Sequence, residues 1–229
     1  MKVVFATPFL DRPTAPFIEA LEACLPAIEA AGWQHKFVQC VNNPYISGAR
    51  AEMTRKALDA EADVVVYLDY DISFTPEDMV KLLEAEGGVV AGTYRFKNDV
   101  EEYMVSLVTD PMARLVGRPD GCLKTEQAPA GFLKVTKQAL STFAKHYPQL
   151  LYGDPMRPSL DLFNHGAIDG TWYGEDYSFC RRWIATGNDV WLIPDLNINH
   201  HSYDRTYEGN FHKYLLKYNE EHSHGTEEA

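Results

Sequence analysis

Apolar residues along the chain come in short bursts with two alternating rhythms. Lys2 to Ala6 is a β-branched and aromatic run ended by Thr7-Pro8, which predicts a buried strand. Phe17, Ile18, Leu21, Leu25 and Ile28 then recur at helical spacing as far as Gly32, with Pro26 expected to kink the helix. Lys36 to Val41 predicts a second strand, and Asn42-Asn43-Pro44 a loop. Ser47 is placed to cap a helix running to about Ala60, with Met53 and Ala57 facing inward. Val64 to Leu68 is apolar throughout, so both faces of this strand should be covered. Thr75-Pro76-Glu77-Asp78 opens a helix, with Thr75 as N-cap and Asp78 closing a capping box. Val89 to Tyr94 reads as a further strand.

This alternation predicts an α/β fold: a mainly parallel sheet flanked by helices, in a single domain. Residues 98–130 are more irregular, with short β runs at Tyr103–Val108 and Leu115. Phe132 to Val135 reads as a strand, and Thr136 can cap a helix to about His146. Residues 147–172 are rich in Pro, Gly, Asp and aromatics, which suits a long functional loop. A helix from Glu175 to Ala185 should bury Phe179, Trp183 and Ile184 and stop at Gly187. Val190 to Ile193 is expected to be the last strand, and the polar stretch after Asn219 is expected to fray.

Composition narrows the function classes. The 229 residues, 45% hydrophobic and 24% charged, fit a soluble domain with a sizeable core and a short extension. The formal charge of −12 repels phosphate backbones, so nucleic acid is an unfavoured partner. A phosphorylated ligand would need a locally basic site or a metal ion. Cys24, Cys40, Cys122 and Cys180 are widely spaced with no CxxC pair, which fits reduced thiols in a cytoplasmic protein. The N-terminal apolar run is too short for a signal peptide, and no run is long enough to predict a membrane span.

Three constellations carry candidate chemistry. In Tyr67-Leu68-Asp69-Tyr70-Asp71 two carboxylates sit where a buried strand leaves the sheet, the place where open α/β sheets bind ligands. Read as extended chain, residues i and i+2 point the same way, so both could converge on one hard cation. Trp172-Tyr173-Gly174-Glu175-Asp176 places acidic residues at a helix start, where the helix dipole also favours them. A carboxylate there could serve as general base toward an acceptor hydroxyl. Asn199-His200-His201 follows the last predicted strand and offers imidazole ligands for a transition metal.

Taken in order, these motifs resemble nucleotide-sugar-dependent glycosyltransferases of the GT-A fold, near the large family 2 type and its small bacterial or phage-encoded members. The resemblance runs from residue 1 to about 216. Ile46-Ser47-Gly48-Ala49-Arg50-Ala51 resembles the family's helix start, whose Arg approaches the diphosphate. Tyr67–Asp71 resembles its D-x-D, Ala130-Gly131-Phe132-Leu133 the segment beside the acceptor, and Gly174–Cys180 the G-E-D segment with the base. Asn199-His200-His201 resembles the strand-end His that completes metal coordination.

The resemblance implies a nucleotide-binding half at 1–96, an acceptor and metal half at 97–216, and a polar tail at 217–229. It implies sugar transfer from a nucleoside-diphosphate sugar, UDP-sugar favoured, to a hydroxyl acceptor with inversion. Asp176 would be the base, with Glu175 and then Asp169 as alternatives. Mn²⁺ or Mg²⁺ would be held by Asp71 and His200, with Asp69 and His201 as alternative ligands. Thr7, Pro8, Arg12, Arg50, Asp69, Tyr70 and Tyr94 would contact the donor; Gly131, Phe132, Trp172, Tyr173 and Gly174 would lie on the acceptor and sugar side. Two other classes compete. A nucleotidyltransferase of similar topology should carry a Gly-rich phosphate loop after the first strand, yet Thr7-Pro8-Phe9-Leu10-Asp11-Arg12 has no Gly. A non-catalytic sugar- or nucleotide-binding module would not need both acidic motifs.

Overall fold

The computed structural model describes residues 1–223, and the predicted alternation builds its centre. Strand β1 (Lys2–Phe9) leads into helix α1 (Ala15–Ala30), β2 (Gln34–Val41), α2 (Ile46–Asp59), β3 (Val64–Leu68), the short β4 (Ile72–Ser73), α3 (Pro76–Glu84) and β5 (Val89–Ala91). After an irregular stretch come β6 (Ser106–Leu107), β7 (Leu123–Gln127), β8 (Phe132–Thr136) and α4 (Lys137–His146). Next are two small hairpins, β9 (Leu151–Tyr152) with β10 (Ser159–Leu160), and β11 (Gly166–Ile168) with β12 (Thr171–Tyr173). Helix α5 (Glu175–Ala185), β13 (Val190–Leu192), β14 (Asn199–His201), β15 (Thr206–Tyr207) and α6 (Phe211–Ser223) complete the described chain.

Eight strands form one sheet in the order β2-β1-β3-β8-β5-β13-β7-β6. Strands β2, β1 and β3 pair in parallel, as do β5 and β13, while β8 runs antiparallel between β3 and β5. Following the pairings, six of the eight point one way and only β7 and β8 are reversed. Helices cover both faces. Val4, Ala6, Val65 and Tyr67 pack on one side with Ala49, Met53 and Ala57 of α2 and Phe143 and Phe179 of α4 and α5. Val3, Phe5, Val64, Val66 and Leu68 pack on the other with Phe17 and Ile28 of α1 and Met79 and Leu82 of α3. The uniform hydrophobicity of β3 therefore has the cause expected of it: alternate residues feed two separate cores.

The caps at Thr75 and Thr136 form as predicted. Thr75 accepts the Asp78 N–H at 3.2 Å and the Asp78 carboxylate accepts the Thr75 N–H at 3.0 Å. Thr136 accepts the Ala139 N–H at 3.2 Å. Ser47 is not a cap: α2 starts two residues earlier than that cap would give, with Tyr45 at the N-cap and no side-chain bond to its first turn. Helix α1 continues through Pro26. The 147–172 loop holds two hairpins, and the tight one turns at Asp169-Gly170, whose φ values of +51° and +80° suit a two-residue turn. Val190–Leu192 is not the last strand, since β14 and β15 pair with β4 in a separate three-stranded sheet. These strands are two or three residues long, too short for a period-2 pattern to show. Helix α6 reaches Ser223, beyond the expected fraying point, and the rest of the tail lies outside the described residues. All four cysteines are free and buried. Among the described residues, no helix is long and apolar enough to cross a membrane.

Candidate active site

Strands β1 and β3 end side by side, and the starts of α2 and α5 face those ends. Between them lies a cleft of about 400 Å³, lined among others by Pro8, Arg50, Asp69, Tyr70, Asp71, Tyr94, Glu175, Asp176 and His200. All three candidate constellations thus meet in one place, although they come from positions 130 residues apart in the chain.

Asp69 is the hub of one wall. Arg50 donates to its Oδ1 at 2.9 Å and Tyr94 donates to its Oδ2 at 2.8 Å. The Asp69 N–H donates to the Gly131 carbonyl at 2.9 Å. Gly131 is required there: a Cβ would lie 2.0 Å from the Tyr94 hydroxyl and 2.3 Å from Asp69 Oδ2. Arg50, only 3% exposed, spans the cleft, because its second terminal nitrogen donates to Glu175 at 2.8 Å. Its guanidinium also lies over the Phe163 ring, 5.1 Å from the centroid. Burial alone would lower the Arg50 pKa, but Asp69 and Glu175 outweigh it and hold the group above its ordinary value. Arg50 is therefore a fixed cation tying the end of β3 to the start of α5.

Asp71 faces a different set of partners. The chain turns at Tyr70 and Asp71 rather than staying extended, so the two carboxylates diverge onto separate cations. Lys97 donates to Asp71 Oδ2, and His200 Nε2 stands 3.5 Å from the same oxygen. Burial pushes the Asp71 carboxyl up, yet His200 and Lys97 more than offset it and hold it below the usual range. His200 Nδ1 lies 2.8 Å from the Arg95 carbonyl, an acceptor, so Nδ1 carries a proton and Nε2 is left to face Asp71. His201 is used elsewhere: its ring nitrogens meet Ser73 Oγ at 2.8 Å and Thr206 Oγ1 at 3.0 Å.

The Asp176 carboxyl lies on the opposite wall, at the uncapped start of α5. Burial, reinforced by the neighbouring Glu175 charge, raises its pKa to about 6. The Tyr177 N–H donates to its Oδ1 at 2.8 Å, leaving Oδ2 for another partner. Glu175, by contrast, is occupied by Arg50.

Several expected residues lie off the cleft wall. Thr7 lines the groove between β1 and α1 instead, because neighbouring residues of a strand point to opposite faces. Arg12 is exposed, and its backbone N–H bonds Asp11. Phe132 is wholly buried against Phe74. Trp172 is 69% exposed on β12, in edge contact with His165, and Tyr173 lies under the Arg181 guanidinium. Gly174 is the N-cap of α5. Asp169 stands at the hairpin tip with its side chain 89% exposed and lines no part of the cleft. Sequence reasoning missed Lys97 and Phe163. A basic residue soon after the Val89–Tyr94 run, in an acidic chain, was the available signal for Lys97.

No protein-family model matches the chain, and no curated protein is significantly similar to it in sequence. Solved structures do match. A197 from STIV superposes with a TM-score of 0.52 at 16% identity, covering 90% of this chain and 88% of that one. GalNAc-T7, solved with UDP, GalNAc and Mn²⁺, gives a TM-score of 0.52 at 10% identity over 87% of this chain. This protein has the GT-A fold. The match spans 44% of GalNAc-T7. A weaker likeness, with a TM-score of 0.41 at 12% identity, links 84% of the GT-A chain with 84% of the inositol-1-phosphate CTP transferase from T. maritima.

Proposed function

We propose that this GT-A chain transfers a sugar from a nucleoside-diphosphate sugar, UDP-sugar favoured, to a hydroxyl acceptor with inversion. One observation carries the reading: a half-buried carboxyl with its pKa raised to about 6, Asp176, shares a cleft with the Asp71–His200 pair at the strand ends. A base tuned toward neutrality and a cation-seeking pair are what group transfer from a diphosphate needs. The chain halves divide the work, residues 1–96 facing the donor and 97–216 supplying the base and His200.

Asp71 and His200 fit a divalent cation. A carboxylate oxygen and an imidazole nitrogen, both common ligands of divalent cations, lie 3.5 Å apart, and the Arg95 carbonyl at Nδ1 orients the ring so that Nε2 points at Asp71. Among the described residues there is no group of three or more His, Cys, Asp or Glu able to hold a metal, so the donor's phosphates would complete the ligand set. Bound there, Mn²⁺ or Mg²⁺ would neutralise the departing diphosphate. Asp176 takes the acceptor's hydroxyl proton. The acceptor oxygen bonds the anomeric carbon as the carbon–oxygen bond to the diphosphate breaks and its electron pair leaves with the diphosphate. Arg50 holds Asp69 and Glu175 in place, so that Asp69 and Tyr94 can present fixed polar groups to the donor. Pro8 and Tyr70 flank the nucleoside side, and exposed Trp172 offers a face to an acceptor ring.

The test is thermal stability in UDP with and without Mn²⁺. A ligand at a hundredfold excess over its dissociation constant adds about 2.7 kcal/mol, which at this chain length is a shift of several degrees. UDP with Mn²⁺ should raise the melting temperature, and Asp71→Ala should abolish the metal-dependent part. A shift unchanged by Asp71→Ala would remove the metal assignment.

A further inference from the structure

Counting charge around the cleft exposes an imbalance. Four carboxyl groups line it: Asp69, Asp71, Glu175 and Asp176. Arg50 is committed to Asp69 and Glu175, which leaves Asp71 to Lys97. Lys97 and His200 converge on one atom, Asp71 Oδ2. The ammonium thus occupies the carboxylate oxygen that His200 also faces, the oxygen a divalent cation would need.

Its placement is built rather than incidental. Lys97 belongs to a loop closed by the Arg95–Tyr103 bridge and by the Phe96 N–H donating to the Glu102 carbonyl at 3.0 Å. Arg95 supplies the carbonyl that orients His200. Arg95 also reaches the Tyr207 ring at 6.0 Å, and Arg205 pairs with Asp99. The segment carrying Lys97 is therefore fastened to the β14–β15 hairpin that carries His200. Orientation of the imidazole and delivery of the ammonium come from the same short stretch of chain. The Lys97 side chain is 32% exposed, so it can withdraw into solvent without unfolding anything.

We propose that Lys97 is the resident counter-cation of the Asp71–His200 pair and that a divalent cation enters only by displacing its ammonium. This rests on the glycosyltransferase reading for the location of the cation. A divalent ion and an ammonium on the same carboxylate oxygen repel at contact distance, so each weakens the binding of the other. Free protein then takes up metal poorly. A diphosphate brings its own oxygen ligands and negative charge, and with them the balance tips. Lys97 thereby makes metal and nucleotide uptake interdependent, a coupling that must be reciprocal.

The experiment measures Mn²⁺ binding directly, from the loss of the free-ion electron paramagnetic resonance signal, with and without UDP. Lys97→Met keeps an unbranched side chain one atom shorter and removes its charge. Without nucleotide, Lys97→Met should bind Mn²⁺ about tenfold more tightly than the native chain, the scale of one lost charge-assisted hydrogen bond. UDP should then improve its Mn²⁺ affinity by a correspondingly smaller factor. Lys97→Arg retains the charge and should stay weak. If Lys97→Met binds Mn²⁺ no more tightly than the native chain, while UDP tightens the native chain and Asp71→Asn abolishes binding, the displacement proposal is overturned and the site stands. If native protein with UDP and Lys97→Met both leave the signal unchanged, the cation site itself is wrong, and the proposal goes with it.

Discussion

Replacing Asp176 by Asn should separate chemistry from stability and move the two in opposite directions. The carboxyl titrates near 6 in the folded chain against an ordinary value of 3.8, mainly because it is buried. A folded pKa raised above the unfolded one means that the folded state holds the proton more tightly. The ionised form therefore costs stability fully above pH 6, and the cost fades as pH falls through 6 toward 3.8. At about 1.36 kcal/mol per unit, that gap corresponds to a cost of up to roughly 3 kcal/mol. Asn keeps the shape and an oxygen to accept the Tyr177 N–H, and it carries no charge to desolvate. Asp176→Asn should thus melt several degrees higher than the native chain at pH 8, with the gain vanishing by pH 4. The same variant cannot accept a proton, so transfer should fall by about 10²–10⁴-fold while UDP affinity holds. If the proposed transfer holds, kcat/KM of the native chain should rise with pH through about 6 and level off above it. Calorimetric melting from pH 4 to 8, paired with transfer rates from a UDP-sugar, reads both halves. Near-native turnover in the Asn variant would refute the assignment of the base. A stability gain that does not depend on pH would refute the buried-carboxylate reasoning.

Two further outcomes test the wall opposite. Gly131→Ala places a methyl against the Tyr94 hydroxyl and Asp69. It should cost about 1–3 kcal/mol in urea unfolding, and adding Tyr94→Phe should recover part of that, since the nearest clashing atom is then gone. Strictly additive costs would mean that the clash is relieved elsewhere. Arg50→Met removes the cation between Asp69 and Glu175, and because Arg50 is 3% exposed the loss should reach about 3–5 kcal/mol. A loss below about 1 kcal/mol would show that the network contributes little to the fold.

Much of this candidate site was legible in the sequence because its carboxylates stand at element boundaries. Asp69 and Asp71 follow the uniformly apolar β3, and Glu175 and Asp176 follow a glycine N-cap, whereas His200 sits in the middle of the three-residue β14, after the alternating Leu196-Asn197-Ile198-Asn199. Boundaries carry local signals such as caps, turns and changes of period, and the open ends of an α/β sheet gather on one edge. What each carboxylate touches was not legible. The i, i+2 rule assumed extended chain at 69–71, and the turn at Tyr70 sends Asp71 to Lys97 while Asp69 goes to Arg50. Contacts such as Arg50 with Glu175, 125 positions apart, depend on which helix start faces which strand end. No periodicity encodes that. The separation of His200 from His201 did become plain in the fold. On β14 adjacent side chains point to opposite faces, so only His200 faces Asp71 and His201 is held by Ser73 and Thr206.

The net charge of −12 then takes on a specific meaning. An acidic protein can hold a diphosphate only where its own carboxylates are already neutralised. The four carboxyls of this cleft are managed in three different ways. Arg50 is locked between two carboxylates and cannot leave without destabilising the fold. Burial raises the Asp176 pKa to about 6, so the group gains and loses its proton near neutrality, as the proposed base must. Asp71 is matched by a side chain that can withdraw. A permanent cation, a titrating acid and an exchangeable cation are not interchangeable. In the proposed reaction the first fixes the geometry, the second supplies the chemistry, and only the third leaves room for an incoming ion.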